Sequence, residues 1–112
     1  MKASPVTEEL KNAEIGPDYE ENTGQAILRA FGDLDYSAVP AVLVANHGAF
    51  AWGPDAETSA HNAVILECVA RMAYFTLGIN PGADAIGRPL HDKHFLRKHS
   101  KDAYYGQLKE KK

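Results

Sequence analysis

The sequence predicts a single α/β domain, and three segments of the chain predict it. Residues 40–45 form a short apolar run with the length and composition of a strand that is buried on both faces. Residues 20–31 place apolar side chains on one face of a helix, and residues 55–77 form a longer, far more apolar helix. With 112 residues, of which 45% are hydrophobic and 24% charged, the chain has the composition of one ordinary soluble domain.

The amino-terminal segment is predicted to be a surface arm. Residues 1–18 are polar, and Pro5, Gly16 and Pro17 interrupt any long helix or strand. We therefore expect this segment to lie mostly on the surface. The whole chain then divides into the polar arm, a folded part and a short basic tail, which span residues 1–18, 19–107 and 108–112.

The first helix and the strand after it have clear boundaries. Glu20 and Glu21 favour the positively polarised first turn of a helix, and Gly32 suits its carboxyl-terminal cap. A polar loop then leads to Pro40, where the strand starts. The next apolar run, residues 49–52, is either the hairpin partner of this strand or its continuation.

The long helix is apolar around its whole circumference. Between residues 63 and 77 only Glu67 and Arg71 are charged, and their four-residue spacing allows them to pair. A chain of this size has too little protein to surround such a helix, so we expect a missing half of the fold, a partner subunit, or both to cover it. The alternative is that it is the central helix of a small α/β domain.

A final helix is predicted from Pro89 to about His99, after Gly78 and residues 80–82 have ended the long helix. It carries His91 and His94 three residues apart, among lysines and arginines. This pattern is typical of a solvated basic helix, and like charges disfavour metal capture. It is also suited to holding an anionic group such as a phosphorylated sugar.

Composition argues against several classes of partner. The net charge of −3 and the isoelectric point near 5.9 give no electrostatic footprint for nucleic acid or an acidic membrane. The single Cys68 lies in a helical apolar run, which predicts a small buried hydrophobe in a reducing compartment, the cytoplasm. No signal-peptide pattern occurs, and no apolar stretch reaches the roughly 20 uncharged residues of a bilayer span.

His47 is the strongest candidate for a functional side chain. It follows the predicted strand directly and sits in a turn bounded by Gly48 and Gly53. The carboxyl end of a strand is where open α/β sheets place their sites, and glycine permits the sharp bend there. A lone histidine is more often a core residue with one ring nitrogen satisfied than a metal ligand, so this position by itself does not establish metal binding.

Three blocks of the chain carry a resemblance to the class II, zinc-dependent aldolase family, and within it to the L-ribulose-5-phosphate 4-epimerases. They are residues 46–53 (Asn-His-Gly-Ala-Phe-Ala-Trp-Gly), residues 60–63 (Ala-His-Asn-Ala), and residues 91–99 (His-Asp-Lys-His-Phe-Leu-Arg-Lys-His) followed by residues 103–107 (Ala-Tyr-Tyr-Gly-Gln). The amino-terminal third is similar in a looser way, so the match covers nearly the whole chain. The closing Tyr-Tyr-Gly-Gln resembles the epimerases rather than the related sugar-phosphate aldolases.

The resemblance implies half of a three-layer αβα fold, normally assembled as a homotetramer, and a zinc-dependent reaction. It makes His47 a zinc ligand, Tyr105 a catalytic acid donated across a subunit interface, and His94 a residue near the active site. L-Ribulose 5-phosphate would become D-xylulose 5-phosphate by a retro-aldol and aldol sequence, with zinc stabilising the enediolate that forms when the C3–C4 bond breaks. Glu20 is either an acidic active-site residue or a partner of the helix dipole.

The chain departs from the family in one large respect. The other two zinc histidines and the phosphate-binding segments belong to the amino-terminal half of those enzymes, and the sequence lacks them, whereas catalytic zinc needs three protein ligands. We therefore expect an incomplete zinc site and an inactive isolated chain. It is a piece of the carboxyl-terminal half of an epimerase, the product of a split gene, or a remnant. A class II sugar-phosphate aldolase half and a non-catalytic oligomerisation module are the alternatives.

Overall fold

The structure, a computed structural model, describes residues 5–104 of the chain. The described residues divide into two compact units, one ending at Pro81 and the other starting at Gly82, and each is described by itself. In chain order they contain a 3-10 turn (Asn12–Glu14), α1 (Tyr19–Phe31), β1 (Ala41–Val44), β2 (Gly48–Ala51), α2 (Ala56–Ile79) and α3 (Arg88–His99).

The first unit has three layers, with a sheet between two helices. β1 and β2 form an antiparallel hairpin in which Val42 lies opposite Phe50, which answers the question that the sequence left open about residues 49–52. Successive side chains of a strand point to opposite faces of the sheet. Val42 and Val44 pack with Phe31 of α1 on one face, while Leu43, Ala49 and Ala51 line a small cavity against α2 on the other. The expected α/β class is therefore confirmed.

The amino-terminal arm differs in part from the prediction. Most of the residues from Glu8 to Asp18 are exposed or half-buried, but Pro5 and Thr7 are buried beside β1. The Leu43 amide donates to the Pro5 carbonyl over 3.0 Å, and the Thr7 amide donates to the Leu43 carbonyl over 2.9 Å, so this stretch pairs in parallel with β1. β1 is therefore the central strand of the sheet.

The helix ends follow the sequence signals closely. Gly32 has φ 52° at the carboxyl end of α1, as expected for a glycine cap. At the start of α2 the Asp55 carboxylate accepts a hydrogen bond of 2.7 Å from the Thr58 amide. This bond and one from the Thr58 hydroxyl lower the pKa of Asp55. The carboxyl end of α2 lies two residues beyond the predicted residue 77, because the helix continues through Gly78 to Ile79 before Pro81 stops it.

The apolar circumference of α2 is largely uncovered within the described residues. Leu66, which faces the sheet, is 8% exposed, whereas Met72 is 61% exposed and Phe75 58%. Cys68 is also exposed, so its predicted burial is wrong, because no described residue covers that side of α2. By length and composition alone, α2 is the one described helix that could span a membrane, and a single such helix is a weak indication of one.

The second unit contains α3, which begins beside Pro89 as predicted. Its carboxyl end is closed by hydrogen bonds from the Ser100 amide to the Leu96 carbonyl and from the Tyr104 amide to the Arg97 carbonyl, at 3.0 and 2.9 Å. The side chains of α3 are exposed or half-buried.

Candidate active site

His47 occupies the tip of the β1–β2 hairpin. Its amide donates a 3.0 Å hydrogen bond to the Val44 carbonyl, which closes the turn directly after β1. Asn46 adopts φ 58° and Gly48 adopts φ 142°, two conformations that most L residues avoid. The backbone is bent on both sides of His47, and its side chain is exposed at the end of the sheet.

Two aromatic side chains orient the imidazole. The ring of Phe50 stacks on it at a centroid distance of 5.3 Å, and that of Tyr19 at 6.3 Å, with interplanar angles of 27° and 29°. Phe50 comes from the neighbouring strand and Tyr19 from the first turn of α1. The direction of the His47 ring is thus set by two separate elements rather than by the turn alone.

A cavity of about 590 Å³ opens on one side of His47, within the usual size range of sites for small molecules. A smaller cavity of about 230 Å³ opens between α1 and the hairpin, and His47 and Tyr19 line both of them. Glu9 lines the larger cavity and Glu20 the smaller one, so each cavity has a carboxylate as well as the imidazole. The other residues around the larger cavity are Leu10, Asn12, Ile15, Val44, Ala45 and Asn46.

Glu14 fixes the arm that forms one wall of the larger cavity. Its carboxylate accepts hydrogen bonds from the Lys11 amide at 2.9 Å and from Arg29 of α1 at 3.1 Å. Its carbonyl also accepts one from the Asn22 side chain at 3.0 Å. The Lys11 amide, followed by the positive charge and hydrogen bond of Arg29, lowers the pKa of Glu14. Sequence reasoning missed this anchor, because the two carboxylate partners belong to separate segments of the chain.

The described residues of the chain do not form a zinc site on their own. No group of three histidine, cysteine or acidic side chains lies close enough to share a metal ion among residues 5–104. His47 offers one exposed imidazole, which fits a single ligand position, whereas a catalytic zinc needs three protein ligands. The remaining ligands would have to come from outside the described residues.

The other candidate residues belong to the carboxyl-terminal part. His94 is exposed in the middle of α3, in the unit that does not contain His47. His91, one turn earlier in the same helix, lies 3.1 Å from Asp92, measured from Nδ1 to Oδ1, so one of the three histidines of α3 has a carboxylate partner. Tyr105 lies outside the described residues. The ammonium group of Lys93 sits 5.8 Å from the centre of the Tyr104 ring, a cation–π contact next to that position.

Comparison with known proteins gives the class first. The chain belongs to the family described as class II aldolase and adducin N-terminal domain, whose model matches residues 3–74. It is also similar to individual enzymes. L-ribulose-5-phosphate 4-epimerase UlaF of Salmonella paratyphi A and that of Salmonella typhi are both 48% identical to it over 103 residues, which is 92% of this chain. The same enzyme of Salmonella paratyphi B is 47% identical. The chain spans about 45% of the length of these relatives.

Proposed function

We propose that this chain is part of a zinc-dependent L-ribulose-5-phosphate 4-epimerase, to which His47 contributes one metal ligand. The observation that carries the proposal is the 48% identity with proteins of that name across 103 residues. The position of His47, exposed at a hairpin turn and beside a cavity of about 590 Å³, supports it. The substrate would be a phosphorylated pentulose, and the product its epimer at C4.

The chemistry divides between the metal and the side chains of this chain. Zinc, when bound, would stabilise the enediolate charge that develops as the C3–C4 bond breaks. His47 would hold its place through the stacking of Tyr19 and Phe50. Tyr105, by resemblance, would donate a proton to the aldehyde oxygen. His94 and the cations of α3 would attract the phosphate group.

The proposal extends to the oligomeric state of the protein, its location in the cell and its partners. We expect a homo-oligomer in the cytoplasm that does not bind nucleic acid. The net charge of −3 supports the last point, and a single cysteine is compatible with a reducing compartment.

Metal analysis tests the role of His47. In the full-length protein that contains this chain, His47→Ala should lower zinc content and reduce epimerase activity by more than about 100-fold, since even outer-shell changes cost up to that much. His61→Ala removes another exposed histidine, on α2, and is the matched control that should retain both properties. Circular dichroism checks that each variant is folded. Full zinc and activity in His47→Ala would contradict the proposal.

The adjacent tyrosines provide a second matched pair. Tyr105→Phe should reduce kcat while leaving zinc content unchanged, because it removes a proton donor and no ligand. Tyr104→Phe makes the same change one residue away and should have little effect. If Tyr104→Phe were the damaging variant, the role assigned to Tyr105 would be wrong.

Product analysis separates the epimerase from an aldolase of the same family. Breaking the C3–C4 bond of L-ribulose 5-phosphate yields a three-carbon ketone and a two-carbon aldehyde phosphate. An epimerase rejoins them to give D-xylulose 5-phosphate, whereas an aldolase releases them into solution. Accumulation of the free aldehyde phosphate would favour the aldolase alternative.

A further inference from the structure

The larger cavity beside His47 has polar lining residues to which the proposed reaction gives no role. Glu9 and Asn12 line it from the amino-terminal arm, and Asn46 lines it from the hairpin turn. All three residues are exposed. Within residues 5–104, no hydrogen bond or ion pair engages any of these three side chains, so each can bond to a molecule in the cavity.

Comparable side chains elsewhere in the first unit are already paired. The Asn22 side chain donates to the Glu14 carbonyl at 3.0 Å, and the Asn62 side chain donates to the Trp52 carbonyl at 2.8 Å. The first of these bonds fastens the arm to α1, and the second fastens α2 to the segment directly after β2. Both side chains therefore have a structural role, in contrast to the asparagines that line the cavity.

The polar groups in this cavity match the oxygens of a sugar. A side-chain amide both donates and accepts hydrogen bonds, and a carboxylate accepts them, so together they pair with hydroxyl groups and with a ketone oxygen. Leu10, Ile15 and Val44 belong to the same lining and provide apolar surface for the carbon atoms. A mainly apolar lining with a few such polar groups is typical of small-molecule sites.

A phosphate group fits the same cavity poorly. None of its described lining residues is a lysine or an arginine, the side chains that bind phosphate through charge-assisted hydrogen bonds. Glu9 adds a negative charge, which repels a phosphate dianion. The cations proposed to attract the phosphate belong to α3 instead.

We infer that the larger cavity binds the uncharged end of the pentulose, from C1 to C3, an inference that rests on the proposed function for the identity of the sugar. Glu9, Asn12 and Asn46 hydrogen-bond the ketone and hydroxyl oxygens, while the phosphate on C5 remains outside. His47 lines the same cavity, so the C3–C4 bond comes to lie beside the proposed metal ligand. The three side chains are thus substrate-binding residues.

The backbone of Asn46 allows its side chain to be tested separately from the turn. Asn46 has φ 58°, a conformation that asparagine tolerates and glycine adopts freely. Asn46→Gly therefore removes the side chain and keeps the turn that places His47, whereas Asn46→Ala would also strain the turn.

Nuclear magnetic resonance on this chain, labelled with nitrogen-15, tests the inference without any turnover. The probes are L-ribulose, which lacks the phosphate, and inorganic phosphate. L-Ribulose should move the side-chain amide signals of Asn12 and Asn46 with a dissociation constant of about 1 to 10 mM, as expected for a small ligand without a metal. The signals of Asn22 and Asn62, which are already bonded, are the internal controls and should stay in place. Phosphate at the same concentrations should move none of the four.

Two carboxylates that are adjacent in the sequence provide a matched pair of variants. Glu9→Gln and Asn46→Gly should each weaken L-ribulose binding by about 3- to 10-fold, because each removes or weakens one hydrogen bond to the sugar. Glu8→Gln makes the same change at an exposed residue outside the lining and should leave binding unchanged. The dispersion of the backbone amide signals verifies that each variant is folded.

Three results would overturn the inference. One is that the Asn12 and Asn46 signals do not move with L-ribulose up to about 100 mM, ten times the weakest expected dissociation constant. Another is that phosphate moves these signals. The third is that Glu8→Gln weakens binding as much as Glu9→Gln.

Kinetics of the assembled epimerase distinguish this inference from the proposed function. There Asn46→Gly should raise the KM for L-ribulose 5-phosphate by about 3- to 10-fold, because it removes a contact to the bound sugar. Epimerase activity with an unchanged KM in this variant would reject the cavity assignment and retain the function. Binding of L-ribulose to the chain without epimerase activity in the assembled protein would reject the function and retain the cavity as a sugar site.

Discussion

The turn that presents His47 should depend on glycine at position 48 for backbone reasons alone. Gly48 has φ 142°, and a Cβ built on it meets no neighbouring heavy atom within 4 Å. Gly48→Ala therefore introduces no clash, and its whole cost is the strain of an L residue in a region that glycine alone occupies readily. That strain is about 1 to 3 kcal/mol in the free energy of unfolding.

Urea unfolding followed by circular dichroism measures this cost. With an m-value of about 1 to 2 kcal/mol per molar urea, a loss of about 2 kcal/mol lowers the midpoint by about 1 to 2 M. Gly24→Ala is the matched control, because it adds the same methyl group in equally open space but within α1. There alanine should stabilise the chain by about 0.5 to 1 kcal/mol.

The essential result is that the two substitutions change the free energy of unfolding in opposite directions. If Gly48→Ala were as harmless as Gly24→Ala, the turn would not require its positive φ, and the placement of His47 by that turn would be refuted. If the proposed function is right, Gly48→Ala should also lower the zinc affinity of the assembled epimerase, because a turn that relaxes its strained backbone displaces the His47 imidazole.

Two further predictions concern the arm and the start of α2. Thr7→Val removes the hydroxyl that accepts from the Ala45 amide at 3.1 Å, which should cost about 1 to 2 kcal/mol and speed hydrogen exchange at Ala45, whereas Thr7→Ser should keep that amide protected. The depressed pKa of Asp55 means that its carboxylate stabilises the fold above its unfolded pKa near 3.8, and that this stability is lost as pH falls through the folded value. Asp55→Asn keeps a capping side chain without a charge, so its urea midpoint should lie below that of the unmodified chain at pH 7 and approach it as the pH falls below 3.8 and through the lowered pKa of folded Asp55; a gap of constant size over that range would contradict this.

The helices and the central strand were predictable because their signals are local. Pro40, Gly32 and the acidic first turn of α1 act within a few residues of the boundary that they set. The helix α2 ends at Ile79, two residues beyond the predicted end near Leu77, because residues 80–82 stop it as predicted and Gly78 does not. A glycine near the end of a strongly apolar helix only weakens it, and the helix continues until Pro81 prevents it.

The features that the sequence did not predict depend on segments far apart in the chain. The pairing of Val6 with Leu43 joins the arm to β1. The apolar pattern of the sequence identifies this strand but does not specify which segments pair with it. For the same reason, the position of His47 could be predicted from the turn, while the stacking of Tyr19 could not. An aromatic residue at the start of α1 gives no sign of which loop it will meet.

The two neighbours of β1 reach it by very different routes. β2 returns through a tight turn, whereas Thr7 and Ala45 are separated by 38 positions. Closing the longer loop costs about 2 kcal/mol more chain entropy, and hairpins form in about 1 to 10 μs, so the hairpin should assemble before the arm joins it. During that interval the Val-Leu-Val edge of β1 is available to other unfolded chains. The arm is synthesised before its partner strand, so it stays unpaired until the hairpin has formed. When the arm then pairs with β1, this strand edge is no longer available for aggregation with other chains.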